Sequence, residues 1–367
     1  MARCVAGPQP WRGVQSGPAA GGGGDPGDRA RGPHPPCLRG GRRMMGQKMM
    51  NHRRRQSGVA LITALLITAL VTVAAVSMAS RQQLDIRRTG NLMEVDQAWQ
   101  YALGVEAWAR QVLAADDHAR DTLDYLKDPW AAAVPTLPVE GGSVQGTVED
   151  LQGRFNLNNL VDASGKPIPA QEKILQNLFE RVAATDAKLS LDPSLTDVVV
   201  DWLDAEPGVY RSGAEDGDYL SMEPVPYRAA NRPMVSPSEM LALAGFSARA
   251  VAKLTPLVAT LPGPTTLNVN TAPEMVLIGL DTKLTPPMAQ QVVAYRKKTP
   301  FDSAADFTQY MKSEFDITVD PKLVDVKSEY FLTHALATIG RTHVQLYSLL
   351  KRSNNKVTTL QRSIGVH

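Results

Sequence analysis

Between Asp192 and Glu223 the chain gathers carboxylates with one arginine, Arg211, among them. Asp201-Trp202-Leu203-Asp204-Ala205-Glu206 and Gly213-Ala214-Glu215-Asp216 are the densest phrases. Carboxylates crowded on loops repel one another unless they are protonated, spread into water, or bridged by a hard cation that takes about six to eight oxygens. No Asp-x-Asp-x-Asp-Gly loop closed by a glutamate occurs, so the spacing is not that of an EF-hand. Two readings stay open, a solvated acidic loop and an irregular calcium site. Asp201 and Asp204 are spaced as a pair for acid–base work, but no apolar pocket is foreseen to drive their pKa values apart. GxSxG, HExxH and P-loop motifs are missing, and both cysteines, Cys4 and Cys37, lie near the N-terminus, so no thiol nucleophile is available beyond them. The histidines are scattered. His334 and His343 fall on neighbouring predicted strands and read as a cross-strand pair on a solvated face rather than a zinc site. The expectation is a protein that is not an enzyme.

The elements that must carry these residues begin with a membrane anchor. Arg53, Arg54 and Arg55 precede Gly58, an uncharged apolar run extends from Val59 to Ala79, and Arg81 closes it. At about 1.5 Å per residue such a run crosses a hydrocarbon core of about 30 Å once. Arginines before the span and a large polar part after it put everything beyond Arg81 outside the cytoplasm. A cleaved secretory signal ending at Ser77-Met78-Ala79 is the competing reading. The run is long for one, and it continues without a helix breaker into an amphipathic helix. Residues 1–48 are rich in Gly, Pro and Arg and cannot bury enough surface to fold. Translation is expected to start at Met44, Met45, Met49 or Met50. The formal charge of +2 is inflated by this leader and says little about partners.

From Arg81 to Asp116 the helix becomes amphipathic: Val95, Ala98, Ala102, Val105, Ala109 and Val112 form one stripe, with Trp99 and Trp108 beside it. Gly141 to Asn158 reads as two short strands turning at Gln152-Gly153. A helical block follows, with an amphipathic start (Ile174, Leu175, Leu178, Phe179, Val182) and a second helix over Leu195 to Leu203. Ser236-Pro237-Ser238-Glu239, Thr271-Ala272-Pro273-Glu274 and Ser303-Ala304-Ala305-Asp306 read as capping boxes, each opening a short helix. Residues 329–339, 342–350 and 357–364 form a β-meander. Sheet residues on both sides of a helical block imply an inserted domain whose ends lie close together.

The junction Ser57-Gly58 followed by Val59-Ala60-Leu61-Ile62 resembles the type IV prepilin signal, in which a membrane peptidase cuts after the glycine and methylates the new N-terminus. Gly58 and Val59 are then the processing residues. Pilins usually carry glutamate at the fifth mature position, and here it is Thr63, a departure typical of the type II secretion minor pseudopilin K family (general secretion pathway protein K family). Gly153-Arg154-Phe155-Asn156-Leu157-Asn158-Asn159-Leu160, Asp201 to Glu206 and Gly213 to Asp216 resemble phrases of the same family. The resemblance implies calcium in the acidic region, with Asp204, Glu206, Glu215 and Asp216 as ligands.

It also implies an α+β fold: residues 1–58 as leader and prepilin signal, 59–79 as transmembrane helix, 80–116 as its periplasmic continuation, 117–165 as the first strands of a pilin-like antiparallel sheet, 166–325 as a large inserted α-helical domain of helix-hairpin-helix or SAM-like type, and 326–367 as the strands that complete the sheet. The implied role is to initiate and cap, at its tip, the pseudopilus that exports folded proteins from the periplasm. Implied partners are the minor pseudopilins I and J, the pseudopilus shaft, the inner-membrane assembly platform and the prepilin peptidase, with residence in the inner membrane.

A membrane-anchored DNA-binding or DNA-uptake protein is the alternative. Residues 267–280 and 288–307 resemble a helix-hairpin-helix, a unit that offers backbone amides to phosphates. Here the hairpin Asp281-Thr282-Lys283-Leu284-Thr285-Pro286-Pro287 carries two prolines and an aspartate, and Arg296-Lys297-Lys298 reads as a solvated helix end.

Overall fold

The computed structural model describes residues 57–116, 123–186, 188–353 and 356–365. Expectations about the leader and the start codon lie outside them. The chain divides into two units, Met1–Thr72 and Val73–His367. Helix α1 (Ser57–Ala115) contains the apolar run and is, among the described residues, the one helix long and apolar enough to cross a membrane. Its side chains from Val59 to Met78 are all exposed. The threonine hydroxyls within the run turn back on their own helix: Thr63 donates to Val59 O and Ala60 O (3.0 Å each), Thr68 to Leu65 O (2.9 Å) and Thr72 to Thr68 O (2.7 Å). These three threonine hydroxyls are thereby satisfied without a neighbour, as an apolar solvent requires.

Beyond α1 the order is β1 (Val134–Val139), β2 (Gly142–Asp150), β3 (Phe155–Asn156), α2 (Pro169–Ala183), α3 (Leu195–Leu203), α4 (Asp216–Tyr219), α5 (Ala248–Leu254), β4 (Val258–Ala259), β5 (Leu267–Asn268), α6 (Glu274–Gly279), α7 (Pro286–Lys298), α8 (Ala304–Phe315), β6 (Val324–Asp325), β7 (Tyr330–Ile339), β8 (Thr342–Ser353) and β9 (Lys356–Ile364). The main sheet runs β1-β2-β7-β8-β9, antiparallel throughout. Because β2 pairs with β7, all of residues 151–329 lie between two neighbouring strands. The C-terminal strands match the expected meander, since alternation and the Gly340-Arg341 turn are local signals.

The helix meets the sheet through small residues. Ala98, Ala102 and Ala109 are fully buried, and with Val105 they face Val144, Ala335, Ala337, Ile339 and Leu346 along one part of the sheet, then Val148, Phe331 and Leu350 along the next. Gly146 on β2 makes the approach possible, because a Cβ there would collide with Val105 Cγ1. Trp130 closes the far end, edge-on to Phe331 at 5.2 Å, its Nε1 donating to Asp128 at 3.1 Å. Val95, at the start of the expected stripe, is 43% exposed, and the stripe instead extends to Leu113.

Several local expectations need correction. The β1–β2 hairpin turns at Glu140-Gly141, where Gly141 has φ +81, and Gln152-Gly153 belongs to a 3-10 turn that leaves the sheet. Phe155–Asn156 then pairs in parallel with Val258–Ala259, away from the main sheet. The Ser236/Glu239 capping box forms, and Ser303 caps α8. Thr271 caps nothing: Pro273 precedes α6 and the Thr271 hydroxyl is drawn to Asp150 (2.5 Å), a tertiary partner stronger than a local amide. His334 and His343 are not opposite one another, since His334 faces Tyr347 and His343 faces Thr338. His334 stacks on Tyr347 at 4.4 Å.

Candidate functional site

The acidic phrases converge on one end of α3. Asp197 and Asp201, four apart on that helix, share a face, and Asp204 sits at its C-cap. The loop that follows folds over them: Tyr210 N donates to Asp201 Oδ1 (2.8 Å) and Ser212 N to Asp197 Oδ2 (3.3 Å). Gly213 packs so tightly on the Asp201 carboxylate that a Cβ would overlap it. Arg211, at φ +50, bonds Glu172 Oε2 (2.8 Å) and lies 3.7 Å from Asp197, while Tyr210 Oη donates to Glu172 Oε1 (3.1 Å). Glu215 is the N-cap of α4 in a reciprocal box with Asp218. Asn231, at φ +45, lies against Glu215. Two non-glycine residues held in the left-handed region beside one cluster mark a locally over-determined geometry.

Of the four expected ligands, Asp204 and Glu215 are buried (5% and 4% exposed), Asp216 is half-buried and Glu206 exposed. Asp216 is engaged elsewhere, accepting from Arg228 Nη1 (2.9 Å) and Ala229 N (3.0 Å). The expected ligand set omits Asp197, Asp201 and Asn231; Asp201 enters the sequence reading only as a spacing partner of Asp204. The first two carried a signal, the i, i+4 spacing of acids on a short apolar helix; Asn231 carried none. Among the described residues, buried oxygens of Asp201 (Oδ2), Glu215 (Oε1) and Asn231 (Oδ1) have no hydrogen-bond donor, and Asp197 Oδ1 has only Arg211 Nη1 at 3.7 Å.

The electrostatics agree. Burial, reinforced by Glu215 and Asp204, pushes the Asp201 carboxyl up to about 7. Burial, with Glu215 and Glu206 nearby, pushes Asp204 up to about 6, and burial raises Glu215. Unsatisfied acceptors that repel one another in a dry place suit a proton or an oxygen-loving cation. Among the described residues, the acidic trio whose ligand atoms all lie within 4.8 Å of one another is a different one: Asp116, Asp124 and Asp128. Arg352 already bridges it, bonding Asp116 at 2.8 Å and Asp124 at 2.5 and 2.6 Å.

The hairpin between α6 and α7 makes a poor phosphate cradle. Arg296 is buried rather than solvated and donates to the carbonyls of Val269 and Ala272, which leaves Lys297 and Lys298 as the exposed cations of that run. At the other end of the chain, Gly58 is exposed and a Cβ there would meet open space, so local packing does not call for glycine at that position.

The family description "Type II secretion system (T2SS), protein K" matches residues 153–263 and 267–320. Type II secretion system protein K of Aeromonas hydrophila is 35% identical over 331 residues, covering 85% of this chain and 98% of the relative. That of Pseudomonas aeruginosa is 36% identical over 323 residues, covering 85% and 94%. Among solved structures, the GspK-GspI-GspJ complex from the enterotoxigenic Escherichia coli type 2 secretion system contains a chain 26% identical to this one at a TM-score of 0.65, covering 76% of this chain and 100% of that chain. With an anchor-like helix, an antiparallel sheet and these relatives matched almost end to end, the chain belongs to the type II secretion system protein K family.

Proposed function

We propose that this protein is a minor pseudopilin that sits at the tip of the type II secretion pseudopilus, initiating and capping its assembly. The observation that carries the reading is the likeness to a chain solved in complex with GspI and GspJ. The minor pseudopilins I and J are accordingly the proposed partners, with the pseudopilus shaft and the inner-membrane assembly platform beyond them. Residues 59–79 hold the chain in the inner membrane with its folded part in the periplasm. The prepilin peptidase cuts after Gly58 and methylates Val59. Thr63 supports a terminal position: its hydroxyl is bonded within its own helix and seeks no amine on a neighbour. Residues 166–325 act as an inserted helical domain of helix-hairpin-helix or SAM-like type whose bulk obstructs further stacking, and the role is structural rather than enzymatic.

Calcium is proposed in the acidic region. Asp204 and Glu215 are inner ligands joined by Asp201 and Asn231, and Glu206 and Asp216 complete the set from the rim. A bound cation supplies the positive charge that these buried oxygens lack. Co-purification of the full chain with minor pseudopilins I and J, together with secretion of a reporter enzyme by a deletion strain carrying the wild-type gene, tests the role. Retained secretion in the deletion strain contradicts it. Melting of the full chain in calcium and in chelator tests the metal, and coincident curves remove it.

A further inference from the structure

The segment between β2 and β7 leaves the main sheet at Asp150 and returns at Ser328, and one buried carboxylate holds both crossings. Asp150 Oδ1 accepts from Gln152 N (2.8 Å), and Oδ2 accepts from Asn268 Nδ2 (3.0 Å), Thr271 Oγ1 (2.5 Å) and Ser328 Oγ (2.6 Å). Outgoing chain, the interior of the inserted segment and returning chain therefore meet on a side chain that is 4% exposed. Every one of these donors is neutral. Arg352, itself buried, gives its guanidinium to Asp116, Asp124 and the Ser328 carbonyl (2.9 Å) instead.

Among the described residues, the charged groups around the hub are Asp116 from the end of α1, Asp124 and Asp128 from the connection to β1, Asp325, Lys327 and Glu329 from the returning chain, and Arg352 from β8. Glu329 is matched by Lys351 at 3.4 Å. Among the described residues, acids outnumber cations on the buried side, and a buried charge without a counter-ion is unstable relative to its protonated form.

We infer that Asp150 is a proton-operated clamp at the root of the inserted segment, tighter when protonated and looser when ionised. The chemistry of its partners permits both states. One of the Thr271 and Ser328 hydroxyls can turn from donor to acceptor toward the single proton of a protonated carboxyl, while the other hydroxyl, Gln152 N and Asn268 Nδ2 go on donating to its oxygens. Burial, opposed by the hydrogen bonds of Ser328 and Thr271 and reinforced by Asp124, pushes the Asp150 carboxyl up to about 6. Because this lies above the unfolded value, the stability it contributes is present at acid pH and is lost as pH rises through about 6.

Hydrogen exchange of the full chain in detergent, followed by mass spectrometry with calcium chelated and with calcium saturating, tests the clamp. After correction for intrinsic rates, protection of residues 148–155, 265–272 and 324–331 rises by about tenfold or more from pH 8 to pH 5. Asp150→Asn, which cannot ionise, shows the same protection of these segments at both pH values, and Asp128→Asn still shows the acid rise there. Ser328→Ala, which removes a donor that favours the ionised form, moves the midpoint to higher pH. Wild-type protection in these segments that ignores pH, an Asp150→Asn variant that retains the dependence, or an Asp128→Asn variant that loses it overturns the inference. Should Asp150→Asn not fold, the Ser328→Ala midpoint decides: an upward move supports the clamp and an unmoved one refutes it.

Discussion

Two buried glutamates of this protein live under opposite electrostatics. Glu106 on α1 is 2% exposed and accepts from Arg362 (2.6 and 2.9 Å), Thr359 (2.7 Å) and Ser348 (2.7 Å). Burial raises its pKa, but these bonds outweigh burial and bring it down to about 2. Glu106→Gln should lower stability by about 2 kcal/mol, because it weakens charge-assisted bonds while Arg362 keeps access to water; denaturant midpoints measure this. Among the described residues Glu215 has no cation partner, and burial moves its pKa upward. Its neighbour Asp201 shares that environment, and Asp201→Asn should stabilise the calcium-free chain by about 1–3 kcal/mol by removing a buried repulsion. On the proposed calcium site, the same change should shrink the melting-temperature shift expected with calcium, which separates a ligand from a merely crowded acid.

At the scale of elements, the distance between α1 and its sheet is set by residues that are hardly there. Three fully buried alanines face β2, β7 and β8, and Gly146 admits Val105. Gly146→Ala should cost about 1–3 kcal/mol through overpacking. Val105→Ala alone should also destabilise, by loss of buried methyl groups. The double variant should be more stable than the sum of the two predicts, and chemical denaturation of all four chains checks that coupling. Strict additivity would mean that the helix yields freely at this point. The alanine spacing and the meander were legible as patterns because both are local periodicities. The turn at Gln152-Gly153 was misread because a glycine between β-prone residues has the same local chemistry whether the chain doubles back or leaves the sheet.

For the whole molecule, carboxylates with raised and lowered pKa values sum to a pH profile. Asp201 at about 7 and Asp204, Asp128 and Asp150 at about 6 contribute stability that is present below their unfolded values and lost as pH climbs through these numbers. Glu106 contributes stability that is present above 4.5 and lost as pH falls toward 2. The calcium-free chain should therefore be most stable near about pH 4 and less so at pH 8. On the proposed calcium site, saturating calcium should raise the neutral limb alone, since the cation would replace the protons. Thermal melts across pH 4–8 with and without chelator give the profile, and a calcium-free curve that climbs steadily to pH 8 contradicts the assignment.

The amino-acid sequence by itself determined the apolar anchor, the amphipathic helix after it, the closing meander and the family resemblance, because each rests on periodicity or on residues adjacent in the chain. Tertiary structure alone decided that Asp201 and Asn231, thirty positions apart, belong with Glu215, that Arg296 is buried, and that Thr271 serves Asp150 rather than a helix end. Charge and hydrogen-bonding capacity are properties of single residues, but which donor reaches which acceptor depends on chain closure over distances that no local pattern encodes.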